Sequence, residues 1–239
     1  MVGALAMVVY LLISLNLKQE VSESQPIETK PEPTVVAQAE ISKEDASSLE
    51  KIKMLEQLVP YYNINADTVG HIKIGETIID YPVVYNGDNE YYIEHNFEKD
   101  ESKEGAIFLD YRCDYNDFSK TKNNILYGHR MKDGSMFRSL FDYHDKDFFY
   151  ENNIIRFDTL YHEYEWQVFS VFETHIDFYY IDTDFPTDEK WMAFLEKCHG
   201  LSIYDADVKF YPTDVILTLS TCTVKKDKRL VVMAKLITK

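Results

Sequence analysis

The chain has 239 residues, which suits one domain with extensions or at most two small domains. Hydrophobic residues make up 45% of it and charged residues 28%, an ordinary balance for a globular protein. The formal net charge of -16 would repel nucleic acid and anionic lipid, so we expect the folded part to bind neither of them.

The chain opens with an apolar segment. Residues 1–17 carry no charged side chain and just reach the length of about 17 residues that a membrane-spanning helix requires. Residues 18–41 are rich in glutamate and proline, which is typical of a solvated linker. We therefore predict a single-pass membrane anchor at 1–17, a disordered linker at 18–41 and an extracytoplasmic domain at 42–239. A cleaved secretion signal and a buried core helix are the alternatives. No basic cluster precedes the apolar run, so we expect the true start to lie upstream.

The domain is predicted to begin with a helix and to continue as strands. A capping-box pattern at 42–45 and apolar residues at helical spacing predict a helix over 43–59, with Pro60 ending it. Eight short β-type runs follow, at 69–74, 77–85, 105–110, 123–128, 154–160, 164–173, 215–222 and 229–237. Helical spacing predicts two further helices at 135–143 and 187–199, the second between strands six and seven. This pattern favours a mainly β fold, either a closed barrel or a sandwich.

The three cysteines differ in their surroundings. An odd, small number argues against a disulfide scaffold. Cys198 falls in the predicted helix at 187–199, where a buried small hydrophobe is the simpler interpretation, and Cys113 lies in a polar loop with no assigned role. Cys222 ends an apolar strand, and Arg229 opens the next strand after a lysine-rich turn. Such a hairpin can hold a thiol beside a cation, which is the setting of a reactive cysteine.

The sequence allows other interpretations of Cys222 and Arg229. Phosphatases use a Cys-x5-Arg cradle rich in glycine, but here six residues intervene and none is glycine. The paired Cys/His spacing of a zinc site and a glycine-rich nucleotide loop are both missing from the sequence. The plainest alternative makes Cys222 an ordinary strand-end residue and Arg229 an edge charge. The residues alone leave that alternative open.

One histidine stands out as a partner for the thiol. His129 follows Gly128 at the end of an apolar strand, where a side chain can project into a cleft. The other six histidines lie in loops, at turns or, for His71, inside a strand. Most histidines are surface or hydrogen-bonded residues, so position alone does not establish a catalytic role for His129.

Three segments together resemble the sortases, the cell-wall transpeptidases of Gram-positive bacteria. Residues 218–222 (TLSTC) look like the family's signature around its cysteine, residues 124–129 (NILYGH) resemble its segment ending in Tyr-Gly-His, and residues 229–236 (RLVVMAKL) resemble its arginine-led strand. The N-terminal helix and the helix between strands six and seven point to class B. The resemblance implies an eight-stranded closed sortase-type β-barrel.

The resemblance also implies roles for individual residues. Cys222 would attack the threonine carbonyl of an N-P-x-T-[NG]-type sorting motif near the C-terminus of a secreted protein, His129 would protonate the leaving amine, and Arg229 would hold the carbonyl or oxyanion. A peptidoglycan amine would then resolve the thioacyl-enzyme. The predicted substrate contacts are Ser220, Tyr180, Ile181, Asn89 and Ile93.

No metal or other cofactor is expected, because no acidic cluster has ligand spacing and class B sortases are not known for calcium dependence. Two alternative functions stay open at this stage. One is a non-catalytic cell-surface binding module on a sortase-like barrel. The other is a cysteine protease that hydrolyses its substrate without transferring it to an amine.

Overall fold

A computed structural model of the protein describes residues 53–175, 177–224 and 227–237. Within these residues eight strands form one closed barrel, in the spatial order β1-β2-β3-β4-β7-β8-β6-β5. The predicted closed, mainly β barrel is therefore confirmed, and each strand lies within a few residues of its predicted bounds. The strands are β1 (Thr68–Ile74), β2 (Asp80–Val84), β3 (Ile107–Leu109), β4 (Asn123–Tyr127), β5 (Ile154–Thr159), β6 (Glu165–His175), β7 (Ile216–Cys222) and β8 (Lys228–Leu236).

The strand directions determine where the long connections must run. β2 pairs with β3 and β4 pairs with β7 in parallel, and the remaining neighbours pair antiparallel. Parallel strands cannot be joined by a tight hairpin and require a crossover. The connection between β2 and β3, residues 85–106, is such a crossover, and it contributes to the functional groove described below.

Aromatic side chains fill much of the barrel interior. Phe118, Phe157 and Trp166 are fully buried, with ring centroids 4.5 Å apart for Phe118 and Phe157 and 6.4 Å apart for Phe157 and Trp166. Burying a phenylalanine completely contributes about 1.5–3 kcal/mol. β7 is buried along its length except at Cys222, so the strand that carries this cysteine is fixed by packing on both faces.

The first helix differs from its prediction. Residues 53–55 are not helical, a 3-10 turn covers Glu56–Leu58, and α1 (Val59–Ile64) begins where the predicted helix was to end. Pro60 lies in the first turn of α1. A proline fits there because the first N–H groups of a helix have no intrahelical acceptor, so this proline begins a helix instead of ending one. The rest of the predicted helix lies outside the described residues.

The helix predicted at 135–143 is also corrected. Phe137–His144 forms a 3-10 helix, and a separate α-helix, α2 (Lys146–Glu151), follows it. Asp145 lies between them, and its carboxylate accepts a hydrogen bond of 3.0 Å from Phe148 N. This is the usual role of an aspartate at a helix N-cap, and it explains why a new helix starts at this point.

The helix between β6 and β7 is present as predicted. α3 (Asp188–Gly200) starts after Thr187, whose hydroxyl accepts a hydrogen bond of 3.3 Å from Lys190 N. Its buried face packs against β6, where the Ser170 hydroxyl donates to Cys198 O at 2.6 Å. The buried residues of α3 share helical spacing and are Trp191, Leu195 and Cys198.

In the described part of the chain, no helix combines the length and the apolar character that crossing a bilayer requires. The predicted anchor at 1–17 and the predicted linker at 18–41 lie outside the described residues.

Candidate active site

Cys222 and Arg229 are neighbours at one end of the barrel. Cys222 is the last residue of β7, Arg229 is the second residue of β8, and the two are direct partners in the antiparallel register. Directly opposed residues in such a pair lie on the same face of the sheet, with Cβ atoms about 4.5–5.5 Å apart. The hairpin therefore holds the thiol next to the guanidinium.

His129 reaches the same end of the barrel from β4. β4 runs parallel to β7, and its last residue, Tyr127, is level with Ser220. Two residues further along each of these strands, His129 is level with Cys222. The hydrogen bond from Gly128 N to Ser220 O, 3.3 Å long, continues the ladder between them. The three predicted catalytic side chains thus lie at the ends of three adjacent strands.

Two glycines shape the backbone around His129. A Cβ atom on Gly128 would lie 2.4 Å from Ile107 Cδ1 and 2.7 Å from Phe137 Cδ2, which is closer than real atoms approach. Gly105 has a φ of +61°, a left-handed conformation that favours glycine, and its Cβ would lie 3.1 Å from Cδ2 of His129. A larger residue at either position would press on the imidazole or on the strand that carries it.

The His129 ring is held by the backbone of the β2–β3 connection. Its Nε2 lies 2.8 Å from Ile93 O. Because a carbonyl oxygen only accepts, Nε2 carries a proton. Nδ1 is then the ring nitrogen left to exchange a proton with a reacting group. The His129 carbonyl in turn accepts a hydrogen bond of 2.9 Å from Phe137 N, so the backbone is fixed as well as the ring.

All the predicted site residues line one groove of about 460 Å³. Its volume is typical of pockets that bind small ligands. We call Asn89 and Ile93, from the β2–β3 connection, the β2–β3 wall, and residues 178–181, between β6 and α3, the β6–α3 wall. The structure brings together the three predicted catalytic residues and the five predicted substrate contacts, which are Asn89, Ile93, Tyr180, Ile181 and Ser220.

The thiol of Cys222 differs from the other two. Cys113 and Cys198 are buried, and burial raises the pKa of each thiol to about 12, so both stay protonated at neutral pH. Cys113 was predicted to lie in a polar loop, but it packs in the core with its Sγ 3.7 Å from Asn123 O. Cys222 is half-buried and faces the groove, so it is the thiol that a substrate can reach.

Similarity to known proteins agrees with this geometry. The family model of the sortase domain matches residues 72–237, well over half of the chain. Sortase B of Listeria monocytogenes is 40% identical over 206 residues, which cover 85% of this chain and 83% of that protein. The chain belongs to the sortase family, class B. It is therefore a sortase-type cysteine transpeptidase.

Solved class B structures share the barrel. A sortase B from Bacillus anthracis, in complex with AAEK2, has 42% sequence identity and a TM-score of 0.73, and the match covers 80% of this chain and 86% of that one. A Staphylococcus aureus sortase B–substrate complex has 36% identity and a TM-score of 0.73, covering 82% and 90% respectively. The barrel and its connections are thus those of class B sortases.

A buried hydrogen bond joins the β6–α3 wall of the sortase groove to β7. The hydroxyls of Tyr180 and Ser220 lie 2.7 Å apart, and the two residues are only 5% and 3% exposed. Burial raises the pKa of Tyr180, although the bond to Ser220 and the charge of Arg229 oppose that shift. The predicted hydrogen bond from Ser220 to the substrate stays a prediction, since a hydroxyl bonded to Tyr180 can still donate or accept one more bond.

Several groove residues were missed from the sequence. Aromatic residues in loops carry no pattern that separates a groove from a surface, so nothing in the sequence marks Tyr179 or Phe178. Asp110, which lies behind the groove and does not line it, leaves a weak signal, since it ends the apolar run at 105–110 and is followed two residues later by Arg112. The further lining residues are Phe108, Tyr127, Gly128, Phe178, Tyr179 and Thr221.

The groove contains no arrangement suited to a metal. Across residues 53–175, 177–224 and 227–237, no group of three or more His, Cys, Asp or Glu side chains is placed to hold a metal ion.

Proposed function

We propose that Cys222 cleaves a sorting motif of the N-P-x-T-[NG] type after its threonine. The Cys222 thiol gives its proton to Nδ1 of His129, the Sγ atom forms a bond to the threonine carbonyl carbon, and the peptide C–N bond then breaks. The leaving amine takes a proton from Nδ1 of His129, and a thioacyl-enzyme remains. An acceptor amine next attacks the thioester, the C–S bond breaks, and the amine's proton returns to His129. The thiolate is thereby regenerated.

Arg229 serves this reaction as a hydrogen-bond donor. A guanidinium stays protonated in proteins, so it does not act as an acid or a base. Next to Cys222 it can donate to the carbonyl oxygen as negative charge develops there. Losing one such donor typically costs about 3 kcal/mol, roughly a hundredfold in rate.

The observation that carries this proposal is the strand register. Cys222 and Arg229 are cross-strand partners, and His129 is level with Cys222 along the neighbouring parallel strand. The three residues also line one groove of about 460 Å³. Family membership supports the same reaction class and argues against a binding module without turnover.

We further propose the partners and location that the family suggests. The donor substrates are secreted proteins with a C-terminal sorting motif, and the acceptor is an amine of the peptidoglycan stem or cross-bridge, supplied on a lipid-linked precursor. The apolar residues 1–17 and the acidic, proline-rich residues 18–41 support a single-pass anchor in the cell membrane with the domain outside the cytoplasm. Fractionation of cells expressing the full chain, with protease added to the outside, tests this location.

The reaction is tested with a panel of fluorogenic pentapeptides. We expect cleavage of N-P-x-T-[NG] peptides, a thioester adduct on Cys222 visible by mass spectrometry, and diversion of the product to a new amide when an amine acceptor is added. Cys222→Ala should abolish turnover. Arg229→Lys should lose about a hundredfold, because a point charge on a flexible stem does not reproduce the guanidinium fork.

Each alternative gives a different result in this assay. Product that remains a free acid at every amine concentration would indicate a hydrolytic protease. Near-wild-type transfer by Arg229→Lys would refute the donor role of the guanidinium. Cys198→Ala, which removes a buried thiol that does not line the groove, is the matched control and should retain the thioester adduct.

A further inference from the structure

A buried carboxylate lies behind the sortase groove. Asp110 follows β3 and is fully buried. Its Oδ1 accepts hydrogen bonds from Arg112 N at 2.9 Å and Arg112 Nε at 2.8 Å. Its Oδ2 accepts from Arg112 Nη2 at 2.8 Å, from the Tyr127 hydroxyl at 2.8 Å and from Asn89 Nδ2 at 3.0 Å. Five donors therefore converge on one side chain.

The donors belong to different parts of the groove. Asn89 is in the β2–β3 wall, and Tyr127 is the last residue of β4, two residues before His129. Arg112 extends the network, because its Nη1 donates to the Tyr179 hydroxyl at 2.8 Å, and Tyr179 is in the β6–α3 wall. Two walls that come from distant parts of the chain are thus linked through Asp110.

The charge state of Asp110 strengthens the link between the two walls. Burial by itself raises the pKa of a carboxyl group, but the hydrogen bonds from Arg112 and Tyr127 outweigh burial and hold the pKa of Asp110 below its ordinary value. The carboxylate is therefore charged at neutral pH, and its hydrogen bonds are of the stronger, charge-assisted kind. Asp110 itself does not line the groove, so it acts on the substrate only through its partners.

We propose that Asp110 is a positioning residue that sets the spacing between the β2–β3 wall and the β6–α3 wall, and thereby determines how tightly the groove binds its peptide. The identity of the peptide rests on the proposed function, but the link between the walls does not. Interactions that hold a binding site in shape contribute equally to the ground state and the transition state, so their loss raises KM more than it lowers kcat.

An asparagine at position 110 cannot accept all the hydrogen bonds that Asp110 accepts. If the amide nitrogen of Asp110→Asn takes the Oδ1 position, it faces two donors of Arg112. If it takes the Oδ2 position, it faces the N–H donors of Arg112 and Asn89, and only the Tyr127 hydroxyl can turn to accept from it. Either orientation turns hydrogen bonds into donor–donor contacts while the volume of the side chain stays nearly constant.

The matched control is Asp114→Asn. Asp114 lies in the loop that follows, outside the groove, and its Oδ1 accepts from the backbone N of Asn116 and of Asp117 at 2.9 and 3.1 Å. An amide oxygen can still accept both bonds. We expect Asp110→Asn to raise KM for the cleaved pentapeptide at least tenfold with kcat within threefold, whereas Asp114→Asn stays within twofold of wild type in both constants.

A second measurement reports on the environment of Tyr179 in the β6–α3 wall and needs no substrate. In protein labelled with 3-fluorotyrosine, the ¹⁹F resonance of Tyr179 is assigned by its loss in Tyr179→Phe. It should shift or broaden in Asp110→Asn and stay in place in Asp114→Asn. If wild type cleaves no peptide, the proposed function fails, and this resonance still decides whether Asp110 positions the wall.

Any of three results with Asp110→Asn would overturn the inference: a KM within twofold of wild type, a loss confined to kcat, or an unmoved Tyr179 resonance. If Asp110→Asn does not fold, Tyr179→Phe carries the test, since it keeps the carboxylate and removes only the link to the β6–α3 wall. That variant should raise KM about threefold, and an unchanged KM would overturn the inference.

Discussion

The hydrogen bond between Tyr180 and Ser220 should couple the β6–α3 wall to β7, and its strength can be worked out from its burial. Both residues are almost completely shielded from water, so neither hydroxyl has water as a substitute partner. Removing one hydroxyl leaves the other unsatisfied, which costs about 1–3 kcal/mol. We therefore expect Tyr180→Phe and Ser220→Ala each to lower the free energy of unfolding by that amount.

The double variant distinguishes a hydrogen bond from two independent packing effects. With both hydroxyls gone, no buried polar group is left unpaired, so the double variant should be destabilised by clearly less than the sum of the single variants. We expect a coupling free energy of about 1 kcal/mol. Tyr161→Phe is the control, because Tyr161 is exposed, and it should lie within about 0.5 kcal/mol of wild type.

Urea unfolding monitored by tryptophan fluorescence measures these differences. The two tryptophans, Trp166 and Trp191, are fully buried, so their emission reports loss of the core. In a chain of this size a change of 1 kcal/mol also shifts Tm by about 2–4 °C. The coupling would be refuted if the double variant lost the sum of the two single losses in unfolding free energy, to within about 0.5 kcal/mol. It would also be refuted if the single variants were as stable as wild type.

Two further predictions concern Gly105 and His71. Gly105→Ala adds a Cβ 2.5 Å from Tyr92 O, 2.9 Å from Ile93 O and 3.1 Å from Cδ2 of His129, whereas Gly134→Ala, also at positive φ (+99°), meets nothing within 4 Å. Gly134→Ala should lose about 1 kcal/mol in urea unfolding and Gly105→Ala more than that, and Gly105→Ala alone should lose cleavage activity; equal activity in the two would contradict this. Burial lowers the pKa of His71 although Asp80 opposes it, so the unfolded chain binds that proton more readily. Stability should therefore fall as pH drops through about 6.5 toward the lowered pKa, and His71→Gln should flatten this slope in pH-dependent melting; an unchanged slope would count against the assignment.

The strands and α3 can be predicted because local sequence and final environment agree. Each strand is a short run rich in β-branched and aromatic residues between turn residues, and α3 shows its buried face as Trp191, Leu195 and Cys198. The prediction that Pro60 ends a helix was wrong because a proline can either end a helix or lie in its first turn. Only the path of the folded chain decides between the two. The 3-10 helix before α2 has the apolar spacing of an α-helix, so the sequence does not distinguish the two.

The network behind the groove could not be predicted, for a different reason. Tyr179 and Arg112 are separated by 67 residues along the chain and meet only because the barrel closes. The same holds for the parallel pairing of β4 with β7, which places His129 beside Cys222. No local pattern encodes a parallel register, so the residues alone single out His129 among seven histidines by its place at a strand end but do not establish that it lies near Cys222. The likeness to sortase motifs supplied the missing long-range information.

The catalytic residues and the walls of the groove are held in place by different parts of the fold. Cys222, His129 and Arg229 lie at the ends of adjacent strands, where a slip of one residue would turn a side chain to the opposite face, so the barrel register that fixes the fold also fixes the proposed chemistry. The two walls instead come from connections, held through Asp110 and through the bond between Tyr180 and Ser220. Side-chain substitutions in the walls keep the Ile93 carbonyl that holds the His129 ring, so they should change which peptide binds while leaving the geometry of thiol, imidazole and guanidinium intact. It follows that a wall variant with altered peptide preference should still react with a small alkylating agent at Cys222 at the wild-type rate.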